Sequence, residues 1–132
     1  MPIEGYRGPY RLTPELINER VVHTGPGAYA LGNDNGYTFS IRFVGCADDL
    51  GRALREHADR QRYRHFEFRY VLSARIGFEQ QCRLYHTYTP PDNPVHPQRP
   101  AGTDWCCPVC NPAQPEESSA VSRASKSTKA TQ

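Results

Sequence analysis

Residues 25–50 read GPGAYALGNDNGYTFSIRFVGCADDL and predict a β-hairpin that leads into a helix. The stretch 32–36, GNDNG, is a strong turn signal, because Gly and Asn tolerate positive φ. A short strand over residues 28–31 precedes the turn. Residues 38–44 follow it and alternate with period two, which is typical of a half-buried strand, and Gly45 is expected to end that strand. The two strands are expected to pair as an antiparallel hairpin.

Three helices and one further strand are predicted around this hairpin. They are a helix that begins at Pro14 after a Thr13 cap and ends by Val22, a helix over roughly 48–60, a strand over 65–72 and a helix over about 74–88. Residues 1–11 look irregular. The sequence therefore predicts an α+β domain with a small antiparallel sheet of three strands flanked by helices.

The two hairpin strands carry triplets that resemble those of a known family. Gly27-Ala28-Tyr29 and Phe43-Val44-Gly45 are similar to the Gly-Ile-Tyr and Tyr-Ile-Gly triplets of the GIY-YIG nuclease family. The order of the elements, the stretch VGCADDL at 44–50 and the later spacing of Pro90 to Asn93 strengthen the resemblance, which covers about residues 26–94. It implies a small αβ fold that hydrolyses phosphodiesters with one divalent metal, Mg²⁺ or Mn²⁺.

The resemblance also implies a set of site residues, of which this chain keeps only part. In the family, a Glu on the second long helix holds the metal, an Arg on the first helix offsets transition-state charge, and tyrosines with a His or Tyr assist the water. Tyr29 and His57 match this pattern. The other positions are occupied by Phe43, which has no hydroxyl, Ala53 in place of the Arg and Gln81 in place of the Glu. A neutral Gln is a poor ligand for Mg²⁺, so the resemblance implies a degenerate site.

Two charged neighbours leave an alternative open. Arg52 flanks the position of the missing Arg, and Glu79 lies two residues before the position of the missing Glu. A helix rotates by about 100° per residue, so these side chains point about 100° and about 200° away from the required directions. If the alignment slips by two residues, Tyr29, His57, Arg52 and Glu79 form an active set. Alternatively, Tyr29 only packs in the sheet and His57 lies at a solvated helix end.

The charge of the chain is concentrated in one segment. The 132 residues carry a net charge of +2, but residues 52–75 hold seven Arg against three acidic residues, which gives +4. A segment that mixes arginines with aromatic residues can follow a phosphate backbone. The expected nucleic-acid contacts are Arg52, Arg55, Arg62, Arg64 and Arg69, with DNA as the favoured partner. The alternative is an ordinary solvated surface of a helix and a strand.

The cysteines predict a metal site. The chain has five cysteines, and this odd number argues against a disulfide framework. Cys107-Pro108-Val109-Cys110 has the two-residue gap of a zinc knuckle, and Cys82 and His86 are four residues apart on one helix face. The predicted ligands of a structural Zn²⁺ are Cys82, His86, Cys107 and Cys110, with His96 or Cys106 as substitutes. Alternatively, Cys82 belongs to the core and His86 to the surface.

The predicted organisation has four parts. They are an N-terminal segment over 1–25, the GIY-YIG-like domain over 26–94, a proline-rich and cysteine-rich extension over 95–112 and a disordered tail over 113–132. No apolar run approaches the about 20 residues of a membrane helix, so an integral membrane protein is not expected. The first residues lack a signal pattern, so the cytoplasm is the expected location.

Three functions remain compatible with the sequence. The favoured one is a nucleic-acid-binding module whose nuclease activity is impaired or absent. The second is an active endonuclease that depends on a divalent metal. The third is a protein-interaction adaptor that reuses the fold, which the near-neutral charge of the part before the tail favours.

Overall fold

The computed structural model describes residues 3–110 and places the predicted hairpin on one side of a larger sheet. The elements, in chain order, are β1 (Arg7–Arg11), α1 (Pro14–Arg20), β2 (Gly27–Asp34), β3 (Phe39–Ala47), α2 (Leu50–Arg60), β4 (His65–Tyr70) and α3 (Ala74–Tyr88). The hairpin is β2 paired with β3 in antiparallel fashion, as predicted. The predicted α+β class is confirmed.

α1 and α3 begin where their predicted capping residues place them, and α2 begins at Leu50, two residues after its expected start. Thr13 accepts a hydrogen bond from the backbone N–H of Leu16 (3.2 Å), and Ser73 accepts one from that of Ile76 (3.3 Å). Asp49 caps α2 through an equivalent bond from the N–H of Arg52 (3.2 Å). Each bond satisfies a backbone donor that the first helical turn leaves unpaired.

The sheet has four strands, so the prediction of three strands was wrong. The additional strand is β1, which pairs antiparallel with β4 at one edge of the order β1-β4-β2-β3. Residues 1–11 looked irregular because Gly8 and Pro9 interrupt β1, and the pairing register shifts between Arg7 and Tyr10. Proline is tolerated here because β1 is an edge strand with one free side.

Two predicted strand ends also need correction. β3 continues through Gly45 to Ala47, with Gly45 paired to Tyr29 of β2. Gly45 lies within the strand and does not end it. Its lack of a side chain leaves space for the ring of Tyr29. β4 ends at Tyr70, two residues before the predicted end, and Leu72 is 94% exposed.

Helices cover both faces of the sheet. On one face, α1 and α2 pack on a cluster whose strand residues are Tyr29, Leu31, Phe66 and Phe68. On the other face, Leu84 of α3 packs on Ala28, Ala30 and Val44. Because side chains alternate along a strand, neighbouring residues of β2 belong to different layers. The second edge of the sheet is β3, which lies between the α2 layer and the α3 layer.

After α3, residues 89–110 contain no helix or strand, and we call this segment the strap. The N–H of Asp92 donates to the carbonyl of Arg42 on β3 (2.8 Å), and later residues of the strap pack on α3. Within residues 3–110, no helix has the length and apolar character needed to span a bilayer. The predicted disordered tail, 113–132, lies outside the described residues. The predicted domain boundaries and location stay predictions.

Candidate functional site

Tyr29 of β2 and His57 of α2 form a hydrogen-bonded pair on the α2 face of the sheet. The hydroxyl of Tyr29 lies 3.0 Å from Nε2 of His57. The ring of Phe43 lies beside this pair, with centroids 5.4 Å from His57 and 6.4 Å from Tyr29. The two residues that match the family pattern are therefore in contact. Phe43 contributes only a ring surface, because it has no hydroxyl.

Gly45 creates the space in which the ring of Tyr29 lies. A Cβ atom built on Gly45 would be 2.5 Å from both Cζ and the hydroxyl oxygen of Tyr29. Ordinary contacts between heavy atoms are about 3.5–4.0 Å, so any side chain at position 45 would overlap the ring. The glycine of the second triplet thus has a steric role that is visible in this chain.

The Tyr29–His57 pair is held in its neutral form. Burial raises the pKa of Tyr29 well above its usual range. Burial also lowers the pKa of His57, and the nearby Arg60 guanidinium lowers it further. In the tautomer with hydrogen on Nδ1, Nε2 of His57 accepts a hydrogen bond from the Tyr29 hydroxyl. Sequence reasoning did not select Arg60, although it lies three residues after His57 and hence on the same side of α2.

Gln81 bonds the edge strand from the opposite face of the sheet. Its Oε1 accepts a hydrogen bond from the thiol of Cys46 (3.2 Å), and its Nε2 donates to the carbonyl of Val44 (3.4 Å). The amide therefore uses both its donor and its acceptor functions on β3. A carboxylate in the same place would lack the donor for the carbonyl of Val44.

Asn93 of the strap completes the hydrogen bonding of the same strand residue. Its Oδ1 accepts from the N–H of Val44 (2.8 Å), and its Nδ2 donates to the carbonyl of Val44 (3.1 Å). This side-chain amide bonds both backbone groups of Val44, as a neighbouring strand would. The sequence placed Asn93 in the family frame, but gave no sign of this backbone role.

Asp92 forms a second contact between the strap and the sheet. Its carboxylate accepts a short hydrogen bond from the Tyr63 hydroxyl (2.6 Å) and lies 3.6 Å from the Arg42 guanidinium. The bond from Tyr63 is the main cause that lowers the pKa of Asp92. The ring of Tyr63 stacks on Phe43 with centroids 6.4 Å apart. Sequence reasoning assigned no role to Tyr63 and Asp92 together, because they are 29 residues apart.

The charged residues of the alternative active set are used elsewhere. Glu79 pairs with Arg75 one turn earlier on α3 (3.2 Å). Arg52 pairs with Glu56 (3.7 Å), and its side chain is 75% exposed. Ala53 is partly buried against the core of the α2 face. Within residues 3–110, the hydrogen bonds and ion pairs of Glu79 do not include the Tyr29–His57 pair.

The five predicted nucleic-acid contacts do not share one face. Arg52 and Arg55 are exposed on α2, and Arg62 and Arg64 are exposed in the connection between α2 and β4. Side chains alternate along β4, and Arg69 belongs to the face opposite Phe66 and Phe68, which is also opposite α2. The structure therefore separates Arg69 from Arg52 and Arg55 of α2.

A group of histidine and cysteine side chains at the end of α3 could hold a metal ion. Its members are His86, His96, Cys107 and Cys110, whose candidate ligand atoms all lie within 4.8 Å of one another. Burial alone would raise the pKa of Cys107, but hydrogen bonds from the Cys110 N–H and from His96 lower it to about 6. In residues 3–110, this is the one group of three or more such side chains with this geometry.

The structure places His96 in this group where the sequence favoured Cys82. Cys82 is fully buried in an apolar cluster with Phe78 and Cys107, which corresponds to the core alternative. Burial raises its pKa well above the usual range, so its thiol stays protonated. Cys106, the other substitute, donates weakly to the Asp104 carbonyl (3.6 Å) and lies outside the group. All five cysteines are free.

Comparisons with known proteins gave matches among solved structures only. No protein-family profile matches the chain, and no curated protein matches its sequence. The GIY-YIG N-terminal endonuclease domain of UvrC from Thermotoga maritima, bound to its catalytic magnesium, is 23% identical, with a TM-score of 0.46 over 60% of this chain and 97% of that one. A point mutant of the same domain is 22% identical, with a TM-score of 0.45 over 59% and 94% of the two chains. The likeness is one of backbone fold at low identity.

Proposed function

We propose that this chain is a GIY-YIG-like nucleic-acid-binding module whose nuclease activity is impaired or absent. The observation that carries the proposal is an exposed group of arginines beside the neutral Tyr29–His57 pair, together with an amide, Gln81, at the position where the family has its metal-binding carboxylate. The first half of this observation supports binding, and the second half argues against hydrolysis.

The arginines support binding to phosphates. Exposed guanidinium groups lie along α2 and in the connection to β4, at Arg52, Arg55, Arg60, Arg62 and Arg64. Arg60 and Arg62 both lower the pKa of His57, so their positive charge reaches the Tyr29–His57 pair. Guanidinium groups form bidentate contacts to phosphate oxygens, and the Tyr29–His57 pair adds hydrogen-bonding groups beside them.

The chemistry of Gln81 argues against hydrolysis. A metal-dependent phosphodiesterase needs a carboxylate to hold Mg²⁺ or Mn²⁺ close to the scissile phosphate. The amide of Gln81 already bonds Cys46 and Val44, and Glu79 is paired with Arg75. Nucleic-acid binding in this proposal requires neither metal. The metal that we assign to the chain is Zn²⁺, in a structural role, at the His/Cys group.

Fluorescence anisotropy and a cleavage gel together test the proposal. Purified protein is titrated into labelled linear and branched DNA, and the same DNAs and supercoiled plasmid are incubated with Mg²⁺ or Mn²⁺. We expect binding without cleavage. The double variant Arg62→Glu/Arg64→Glu should weaken binding at every sequence and reduce the slope of log K against log salt by about two. Arg83→Glu on α3, on the other side of the sheet, is the control, and it changes the charge by half as much.

Each of the two competing functions predicts a different result. Metal-dependent cleavage that disappears in Glu79→Ala would establish the active endonuclease with Tyr29, His57, Arg52 and Glu79. The absence of both binding and cleavage would favour the protein adaptor. In that case, binding of a partner protein should survive Arg52→Glu combined with Arg55→Glu.

A further inference from the structure

We propose that His86, His96, Cys107 and Cys110 form a closed tetrahedral zinc site that fastens the strap to α3 and thereby holds Asp92 and Asn93 against the edge of β3. This inference goes beyond the proposed nucleic-acid binding and does not depend on that proposal. The site joins the last turn of a helix to two separate parts of a segment without regular structure.

The distances among three of the four ligand atoms are close to those of a coordination tetrahedron. Zn–N bonds of about 2.0–2.1 Å and Zn–S bonds of about 2.3 Å place two nitrogens about 3.3 Å apart, and a nitrogen and a sulfur about 3.5 Å apart. The two Nε2 atoms of His86 and His96 are 3.1 Å apart. Sγ of Cys110 lies 3.3 Å from Nε2 of His86 and 3.5 Å from Nε2 of His96. Three of the four ligand atoms therefore already occupy the corners around one ion.

The second nitrogen of His96 fixes which atom faces the ion. Nδ1 of His96 lies 2.8 Å from the carbonyl of Pro97, to which it donates its hydrogen. Nε2 then presents a lone pair to the group, which is the usual arrangement of a metal-binding histidine. Two neutral histidines and two thiolates offset the charge of one Zn²⁺, so the partly buried site carries no net charge.

The fourth ligand is supported by the core. Cys107 is buried among Phe78, Cys82 and the ring of Trp105, and its sulfur accepts a hydrogen bond from the N–H of Cys110 (3.4 Å). Such a bond orients the thiolate and is typical of the turn between two zinc-binding cysteines. With four protein ligands the ion has no open position, so the site is structural and not catalytic.

The zinc site explains how the strap can be ordered. A connection of this length without helix or strand is uncommon in a small domain unless something fastens it. The ion joins His86 to His96, which closes a short loop that contains Asp92 and Asn93. His96 is three residues after Asn93, so its ligation limits how far Asn93 can move from Val44 of β3.

Metal content tests the ligand set in the full chain. We expect one zinc per chain after purification, and a tetrahedral visible spectrum with thiolate charge-transfer bands when Co²⁺ replaces it. Cys110→Ser should reduce zinc affinity by more than about 100-fold, since the loss of a ligand exceeds the loss of an outer hydrogen bond. Cys106→Ser, a change of the same kind four residues earlier, should leave affinity and spectrum unchanged. Absence of zinc, an octahedral cobalt spectrum, or equal affinity in Cys110→Ser and the wild type would overturn the proposal.

Amide hydrogen exchange tests the link to β3. Removal of zinc with a chelator should accelerate exchange of the Val44 N–H by at least 10-fold, while the N–H groups at the centre of β4 stay protected. Circular dichroism of the zinc-free chain and of Cys110→Ser shows whether the rest of the fold persists. If the Val44 N–H exchanges at the same rate with and without zinc, the ion does not hold Asn93 in place, and that half of the proposal is refuted.

Discussion

Substitution of Gly45 by Ala tests the steric relation between the second triplet and Tyr29. The new Cβ would lie 2.5 Å from Cζ and from the hydroxyl oxygen of Tyr29, about 1 Å inside an ordinary contact. Tyr29 is 5% exposed and has little room to move, because Phe43 and His57 lie against its ring. We therefore expect the ring to be displaced and its hydrogen bond to His57 to break.

The cost of this substitution follows from three contributions. Overpacking of a core costs about 1–3 kcal/mol, and the lost hydrogen bond costs about 1 kcal/mol. Ala has less conformational entropy than Gly in the unfolded chain, and this difference stabilises the variant by about 0.5 kcal/mol, since Gly45 does not have a positive φ. We expect Gly45→Ala to lower the free energy of unfolding by about 1.5–3.5 kcal/mol, measured by equilibrium urea denaturation.

A double-mutant cycle separates this explanation from a requirement of the backbone. Tyr29→Leu removes the two ring carbons and the hydroxyl oxygen that the Cβ would meet, so Gly45→Ala should cost less than about 0.5 kcal/mol in that background. The interaction energy should then be about 2 kcal/mol. If Gly45→Ala has the same cost with Tyr29 and with Leu at position 29, the ring is not the reason for the glycine, and the reasoning is refuted.

Two further predictions concern the edge strand and the dependence on pH. Asn93→Ala removes both side-chain bonds to Val44 and should lower the free energy of unfolding by about 2–3 kcal/mol in urea titrations. Asn18→Ala, at an exposed position, is the control and should change the free energy of unfolding by no more than about 0.5 kcal/mol. Equal effects of the two substitutions would contradict the role of Asn93 in bonding Val44. The pKa of His57 is lowered in the folded chain, so the unfolded chain binds more protons below about pH 6.5, and stability should fall as the pH decreases from 7 through that value. His57→Gln should reduce this slope, and an unchanged slope would show that other groups cause it.

Local sequence signals predicted most of the regular structure. The turn at 32–36 and the caps Thr13 and Ser73 act over a few residues, so their effect can be read from the chain itself. β1 was missed because its pairing depends on β4, more than 50 residues away, and because Gly8 and Pro9 hide its alternation.

The candidate site was predictable only where a pattern fixed the position. Tyr29 and His57 were found through the triplets and their spacing, and the structure places them in contact. Arg60 was not selected, because its position near the pair depends on where α2 ends and how it packs. The choice of His96 over Cys82 depends on the path of the strap, which has no periodic pattern that sequence reasoning could use.

The amide of Asn93 has a consequence for how copies of this chain behave together. β3 is the last strand on its side of the sheet, and an open strand edge is a template on which another chain can add a strand. Asn93 occupies the backbone groups of Val44, and the proline-rich segment that carries it cannot itself extend the sheet. The strap is therefore expected to hinder the addition of a strand from another copy of the chain at this edge, and release of the strap from β3 is expected to increase aggregation of the folded chain.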